Sequence, residues 1–382
     1  MNLILGSLAV LGFALLLWQW LAAMRFPLHR RETPSANPAA ITLLKPLKGC
    51  DAATEDCLRS WFSQDYAGAV QILFGVVSND DPVCAIVQKL MQEFPSCDAK
   101  LIVVSNLIGT NAKVSKLVEL EKLAKHELIA VSDADVRVPP DFLTNAVGPL
   151  RNEKVGLVNC FYRLANPATP AMWWEAVAIN ADFWSQVLQS KMLKPLDFAL
   201  GAVMVTRRKL VQEIGGFKAL ADCLADDYQL GNRIARNGHA IELCPVVVEC
   251  WDPPQTWRSV WKHQLRWART IRVCQPVPYF FSILSNAGLW AWLWFVAGMV
   301  GRSEMTWMSP VVLASVLLFG RMVVAVDLQR RLTRSLDHGI YFWLVPIKDL
   351  LQAAIWFGAF LGNTIEWRGQ KFALRPDGTL VK

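Results

Sequence analysis

Residues 130–138 read Ala-Val-Ser-Asp-Ala-Asp-Val-Arg-Val, and the reading of this stretch decides the rest. The β-prone run Leu128 to Val131 feeds directly into Asp133 and Asp135, which places both carboxylates where a buried strand runs out into a loop. Strand alternation points residues i and i+2 the same way, so the two acids can face one pocket and hold Mg²⁺ or Mn²⁺ together with the phosphates of a substrate. An isolated Asp-x-Asp is short, and it equally suits a solvated turn closing a strand. The surrounding chain has to decide.

Composition points to a membrane. Hydrophobic residues make up 53% of the 382 residues, 17 are tryptophan, and the mean hydropathy is positive, which is too apolar for an ordinary soluble enzyme. Leu3 to Met24 carries no charge and ends in Arg25, His29, Arg30 and Arg31. A cleaved signal peptide would carry its basic cluster before the apolar core, so this run reads as a span with the N-terminus outside and the chain from Arg25 onward cytoplasmic. Pro276 to Val300 and Trp307 to Val326 read as a helical hairpin, with Arg302 and Glu304 in the connector and Asp327, Arg330, Arg331 and Arg334 returning the chain to the cytoplasm. Arg321 lies inside the second of these, either snorkelling or meeting a buried partner. Gly339 to Ile365 is interrupted by Pro346, Lys348 and Asp349 and followed by Arg368, Lys371 and Arg375. A single crossing would put that basic tail outside, so a re-entrant or interfacial helix pair hinged near Pro346 is expected. The resulting organisation is a span at 1–26, a cytoplasmic domain at 27–275, a membrane region at 276–366 and a basic cytoplasmic tail at 367–382, all integral to the inner membrane.

The net charge of +7 collects beside these segments, which suits an anionic leaflet. No nucleic acid partner is expected, because the aromatic-basic pattern of an RNA-binding sheet is missing from the sequence. The nine cysteines form no Cys-x-x-Cys pair and read as reduced thiols.

Between Ala40 and Gln275 short β-prone runs alternate with amphipathic helices, an α/β signature. Ile41 to Leu44 reads as the first strand, and Lys45 opens the loop after it, either as a nucleotide contact or as part of a basic turn. Asp81 follows the strand Gln71 to Val77, placed to accept hydrogen bonds from a ribose or to cap the next helix. Lys113 begins a helix, where the macrodipole disfavours a cation unless an anion sits nearby, so it is a diphosphate candidate. Trp173, Trp174 and Trp184 lie on a helix from Ala171 to Leu188, facing the bilayer interface, an acceptor or the core. Phe198 to Thr206 reads as a strand in which Gly201 marks a close approach. Asp226 and Asp227 start a helix, as caps or as a general base with its neighbouring acid. Trp257 to Cys274 is an amphipathic helix whose Arg266 is placed either to neutralise a departing diphosphate, with Trp267 beside it, or to anchor the helix at a membrane.

Taken together, Lys-Pro-Leu-Lys-Gly at 45–49, Asp-Asp-Pro at 80–82, Ser-Asp-Ala-Asp-Val-Arg-Val at 132–138, Glu-Lys-Val-Gly-Leu-Val at 153–158, Asp-Asp-Tyr at 226–228 and Gln-Leu-Arg-Trp at 264–267 resemble the ceramide glucosyltransferase family and its bacterial, hopanoid-associated relatives. The resemblance implies a GT-A fold, an α/β domain with a mostly parallel sheet flanked by helices, between N- and C-terminal transmembrane helices. It implies inverting, metal-dependent transfer of a sugar, glucose favoured, from a UDP-sugar to the hydroxyl of a membrane lipid, ceramide or a hopanoid, with UDP-N-acetylglucosamine as the alternative donor. Carried over by motif, Asp81 matches the nucleotide-contacting aspartate, Asp133 and Asp135 the Asp-x-Asp at the diphosphate and metal, and Asp227 the base, with Asp226 in support. Gln264, Arg266 and Trp267 match a Gln-x-x-Arg-Trp motif, although the spacing here is one residue shorter. A polysaccharide synthase would need more membrane helices for a polymer channel, and a non-catalytic lipid-binding scaffold would have no need of Asp135, Asp227 and Arg266 together.

Overall fold

The computed structural model describes residues 2–301, 309–335, 341–367 and 370–381. The expected connector residues Arg302 and Glu304, and Arg368 of the basic tail, lie outside them. The chain divides into two compact units: Met1–Phe26 with Pro167–Leu193 and Pro254–Asp377, and Pro27–Asn166 with Lys194–Pro253 and Gly378–Lys382.

The second unit is built on strands β1 (Ile41–Pro46), β2 (Val70–Val76), β3 (Asp98–Val103), β4 (Leu128–Ser132), β5 (Val136–Arg137), β6 (Val155–Leu164), β7 (Val203–Arg207) and β8 (Ala240–Cys250). They form one sheet in the order β3-β2-β1-β4-β7-β6-β8-β5. The first four run parallel, as do β6 and β8, whereas β7 is antiparallel to both its neighbours and β5 to β8. Every residue of β1 and β4 is buried, which explains why Ile-Thr-Leu-Leu and Leu-Ile-Ala-Val show no apolar-polar alternation. The helices Thr54–Phe62, Val83–Glu93 and Ala112–Leu123 connect the parallel strands. The first turns Cys57, Leu58, Trp61 and Phe62 inward, and Phe62 stacks on Phe74 of β2 and on Phe94 at 5.7 and 5.4 Å. Burying a side chain of this size contributes roughly 1.5–3 kcal/mol. From β1 the chain steps outward to β2 and β3, then returns to lay β4 on the other side of β1. That reversal opens a crevice at the carboxyl ends of β1 and β4, where ligands of open α/β sheets bind.

In the first unit, Asn2–Arg25 and Pro310–Thr333 are long and apolar enough to cross a membrane. The run expected as one span at Pro276–Val300 is broken into Pro276–Ser285 and Ala287–Val300, bent by 47° and together apolar enough for a broken span or a re-entrant loop. Asn286 sits at the break and its side chain accepts from the backbone N–H of Leu289 at 3.0 Å, capping the second helix where the first stops. Gly339, where the expected helix pair begins, lies outside the described residues, and among those described no α-helix of that segment precedes Pro346 as a hinge partner. Pro346 lies in the first turn of a single helix, Leu344–Gly358, where its missing N–H leaves no bond unmade. Two antiparallel strands, β9 (Thr364–Trp367) and β10 (Gln370–Leu374), follow.

Arg321 falls in the middle of Pro310–Thr333 and is 3% exposed, so it meets a buried partner and does not snorkel. Its Nε and Nη2 donate to Asp349 at 2.8 and 2.9 Å, and Nη2 also donates to Asp182 at 2.8 Å. Lys348 completes the cluster, pairing with Asp182 and, at 2.7 Å, with Asp349. Asp182 projects from a π-helical segment, Ala178–Phe183, inside the helical run Pro170–Leu193. In that run Trp174 and Trp184 are core residues, while the half-buried Trp173 stacks on Tyr341 at 4.4 Å.

Candidate active site

The Asp-x-Asp loop is held from below by Lys45. Because β1 continues to Pro46, Lys45 is a strand residue beside Ser132 and not, as expected, the first residue of the loop. It is fully buried, and its Nζ donates to Ser132 Oγ at 3.2 Å and to the Asp133 carbonyl at 2.5 Å. Burial lowers its pKa to about 8, against the pull of Asp135 and Asp133, and a short bond to a carbonyl is how such an ammonium is accommodated.

Asp135 lies in the crevice with its pKa raised to about 7, first by burial and then by the charges of Asp133 and Asp252. Its carboxylate is the group for which a cation is most wanted. Asp133, more open, pairs with Lys113 Nζ at 2.8 Å. Lys113 also reaches Asp226 at 3.2 Å, so the lysine singled out for its awkward place at a helix start has two carboxylates as its anions. Burial pulls its ammonium down, but Asp133 and Asp226 more than reverse this and leave it raised.

Two loops are stitched together to make that contact. Asn111 caps the helix Ala112–Leu123, accepting from Lys113 and Val114 N–H, while its amide donates to the Cys223 carbonyl at 2.9 Å. Thr110 N–H donates to Asp222 at 2.8 Å. Gly109, at φ +65°, lies so close to Ala221 that a Cβ would stand 2.6 Å from its carbonyl oxygen. Glycine is needed here on both counts.

Asp226 and Asp227 open the helix Asp226–Arg236. Asp227 accepts from the Tyr228 N–H at 2.8 Å, and its pKa is raised to about 6 by burial and by Asp226, with Lys113 opposing. That is the range a general base requires near neutral pH. Gly201, just before β7, gives its carboxylate room: a Cβ there would stand 2.7 Å from Asp227 Oδ2. The Asp81 carboxylate accepts from Gly49 N–H at 3.0 Å and from Val83 N–H, the first residue of the helix Val83–Glu93, at 3.1 Å. It thereby ties the loop after β1 to the loop after β2.

Gln264, Arg266 and Trp267 lie in the other unit, on the helix Trp257–Cys274. Gln264 is 5% exposed, on the buried face with Val260 and Ala268, and donates to Glu175 Oε1 at 2.8 Å. His263, one residue earlier, has its Nδ1 2.8 Å from the same oxygen and sits edge-on to Trp267 at 4.5 Å. On a helix, positions i, i+3 and i+4 share a face, so His263, Arg266 and Trp267 form the x-x-Arg-Trp spacing that Gln264 misses by one. Reading the face and not the letter would have found His263; nothing local in the sequence marks Glu175, whose partners are distant in the chain.

Among the described residues no group of three or more His, Cys, Asp or Glu gathers as a metal cage. The donors present, Asp133 and Asp135, fit the alternative in which one or two carboxylates share Mg²⁺ or Mn²⁺ with substrate phosphates.

Known proteins give the same picture. Ceramide glucosyltransferase 3 of Caenorhabditis elegans is 22% identical over 98% of this chain and 82% of its own length. Beta-monoglucosyldiacylglycerol synthase of Trichormus variabilis is 25% identical over 69% of this chain and 56% of its own. The solved mannosyltransferase of Pyrobaculum calidifontis, in complex with GDP-Man and Mn²⁺, superposes over 94% of this chain and 97% of its own at a TM-score of 0.56 and 18% identity, a likeness of fold. The fold is thus GT-A, and the helices long and apolar enough to span make the chain membrane-associated. The chain is a sugar-transferring enzyme: the model of glycosyl transferase family 21 matches residues 4–380, and it is to this family that the chain belongs.

Proposed function

We propose that this enzyme moves glucose from UDP-glucose to the primary hydroxyl of a ceramide-like membrane lipid, with inversion at the anomeric carbon. The observation that carries the reading is Asp227, a carboxyl with its pKa at about 6, kept open by Gly201 and repelled by Asp226. Such a group takes a proton from an alcohol as its oxygen attacks. The ceramide glucosyltransferase of Caenorhabditis elegans supports the acceptor class, and the glucosyldiacylglycerol synthase supports glucose and a lipid more generally.

In this reading Asp133 and Asp135 hold a divalent ion, Mg²⁺ or Mn²⁺, which when bound neutralises charge on the donor diphosphate. Lys113 exchanges one of its two carboxylates for a phosphate oxygen as the donor enters. Asp81 and Lys45 keep the crevice loops in register. Arg266 stabilises the departing diphosphate, with His263 and Trp267 on the same helix face and Gln264 supporting that face through Glu175. Residues 27–275 work on the cytoplasmic side, with 1–26 and 276–366 in the membrane and 367–382 as a cytoplasmic tail.

The test is a nanodisc assay with UDP-glucose or UDP-N-acetylglucosamine against ceramide, diacylglycerol or a hopanoid, reading UDP release and glycolipid together. Glucosylceramide should form, and Asp227→Asn should lose about 10²–10⁴-fold in kcat. Product with a hopanoid and UDP-N-acetylglucosamine instead would replace the acceptor and donor while keeping the base.

A further inference from the structure

A basic cavity that shares Arg266 with the proposed diphosphate contact lies in the first unit, between the helix Trp257–Cys274 and the β9–β10 ribbon. Its volume is about 200 Å³, and it is lined by Lys262, Arg266, Arg269 and Lys371 against a single acid, Glu366. Glu366 is already paired with Lys262 at 2.6 Å, so the one acid in this lining does not offset Arg269 and Lys371 as well. Arg269 donates through Nη1 to the Thr364 carbonyl, yet its Nε is buried without a hydrogen-bond partner, as is the Nε of Arg272. Two guanidinium groups with unused donors, close enough that burial and Arg272 lower the Arg269 pKa, are costly unless an anion joins them.

Apolar side chains adjoin this lining through Arg272, one helical turn beyond Arg269. Arg272 lies over the Phe360 ring at 5.7 Å, and Phe360 packs edge-on to Phe280 at 6.3 Å. Phe280, Phe281, Phe357 and Leu361 are 53%, 56%, 59% and 68% exposed, large side chains that water would disfavour. A soluble phosphate would leave these neighbouring apolar side chains uncovered. We propose that the cavity binds the phosphodiester headgroup of an anionic phospholipid, with its acyl chains lying on Phe280, Phe281, Phe357 and Leu361. The helix that carries Arg266 is thereby seated at the membrane surface by a lipid other than the acceptor.

The full chain in neutral detergent would be titrated with short-chain phosphatidylglycerol, phosphatidylcholine, inorganic phosphate and UDP, with thermal unfolding as the readout. Phosphatidylglycerol should raise the melting temperature where phosphatidylcholine and phosphate do not. Lys371→Gln should weaken that lipid roughly fivefold, the effect of one basic residue at an anionic surface, and Arg269→Gln at least as much. The lipid-free melting temperature reports whether each variant folds, and Lys371→Gln carries the test if Arg269→Gln does not. The assignment is overturned if phosphate alone reproduces the shift, if phosphatidylcholine does as well as phosphatidylglycerol, or if Lys371→Gln weakens UDP instead of the lipid, which would make the cavity part of the donor site.

Discussion

Two clusters of acids and bases sit in the two units, and they are built on opposite principles. Asp182, Asp349, Arg321 and Lys348 balance two negative charges with two positive ones, each within hydrogen-bond reach of its opposite. Asp133 and Asp226 both pair with Lys113, whose charge also acts on Asp227, and Asp135 lies among the acids Asp133 and Asp252 with the buried Lys45 opposing them. Balance makes a fixed joint, holding the π-helical segment to the helices Pro310–Thr333 and Leu344–Gly358. Imbalance leaves carboxyls with raised pKa values, ready for a proton or a cation. The crevice therefore has charge left for a ligand to neutralise, whereas the joint is balanced in charge, with Arg321 Nη1 a buried donor left without a partner among the described residues.

The contrast is broken most severely by Arg321→Met. Removing the one guanidinium leaves two buried carboxylates with Lys348 alone, and loss of one partner from such a set costs about 3–5 kcal/mol. Denaturant unfolding in detergent should show that loss; an unchanged midpoint would mean that the joint is solvated and the comparison fails. Exchanging all four residues for apolar ones of similar volume should recover most of the stability, as it does for buried ion clusters that serve only as joints.

The crevice should respond in the opposite sense. Folded Asp227 keeps its proton up to about pH 6, whereas an unfolded aspartate loses it near 3.9. Its contribution favours the folded state at low pH and is lost as pH rises between those two values, so above pH 6 the ionised base is a burden on stability. Asp227→Asn should thus not lower the melting temperature at pH 7.5, although it removes activity. In the wild-type enzyme kcat/KM should rise with pH through about 6 as the base ionises. A profile flat from pH 5 to 8 would remove Asp227 from the role.

The mildest case is Lys89→Ala. Lys89 pairs with Glu55 at 2.8 Å but its side chain is 60% exposed, and surface pairs contribute little. A change within about 0.5 kcal/mol, vanishing at high salt, would show that it is burial and not ion pairing as such that separates the two clusters.

Much of this could be read from the chain. The runs around Ile41, Gln71, Leu128 and Val155 became strands, and Trp257–Cys274 became a helix at the bounds expected, because hydrophobic period and turn residues act locally. Elsewhere boundaries moved for identifiable reasons. The strand expected from Phe198 begins only at Val203, since Gly201 is spent on the approach to Asp227. Arg321 could be read only as an alternative, because Asp182 lies 139 positions away in sequence.

The sequence by itself determined the elements, the apolar helices and the residue types of the site, since period, composition and motif spacing belong to neighbouring positions. Tertiary structure decided which charges meet. It turned Lys45 from a loop residue into the buried support of Asp133, set Lys113 between Asp133 and Asp226, and brought His263 and Gln264 together onto Glu175. Those outcomes depend on distances between segments far apart in the chain, and a pKa follows from the charges and burial that such distances impose.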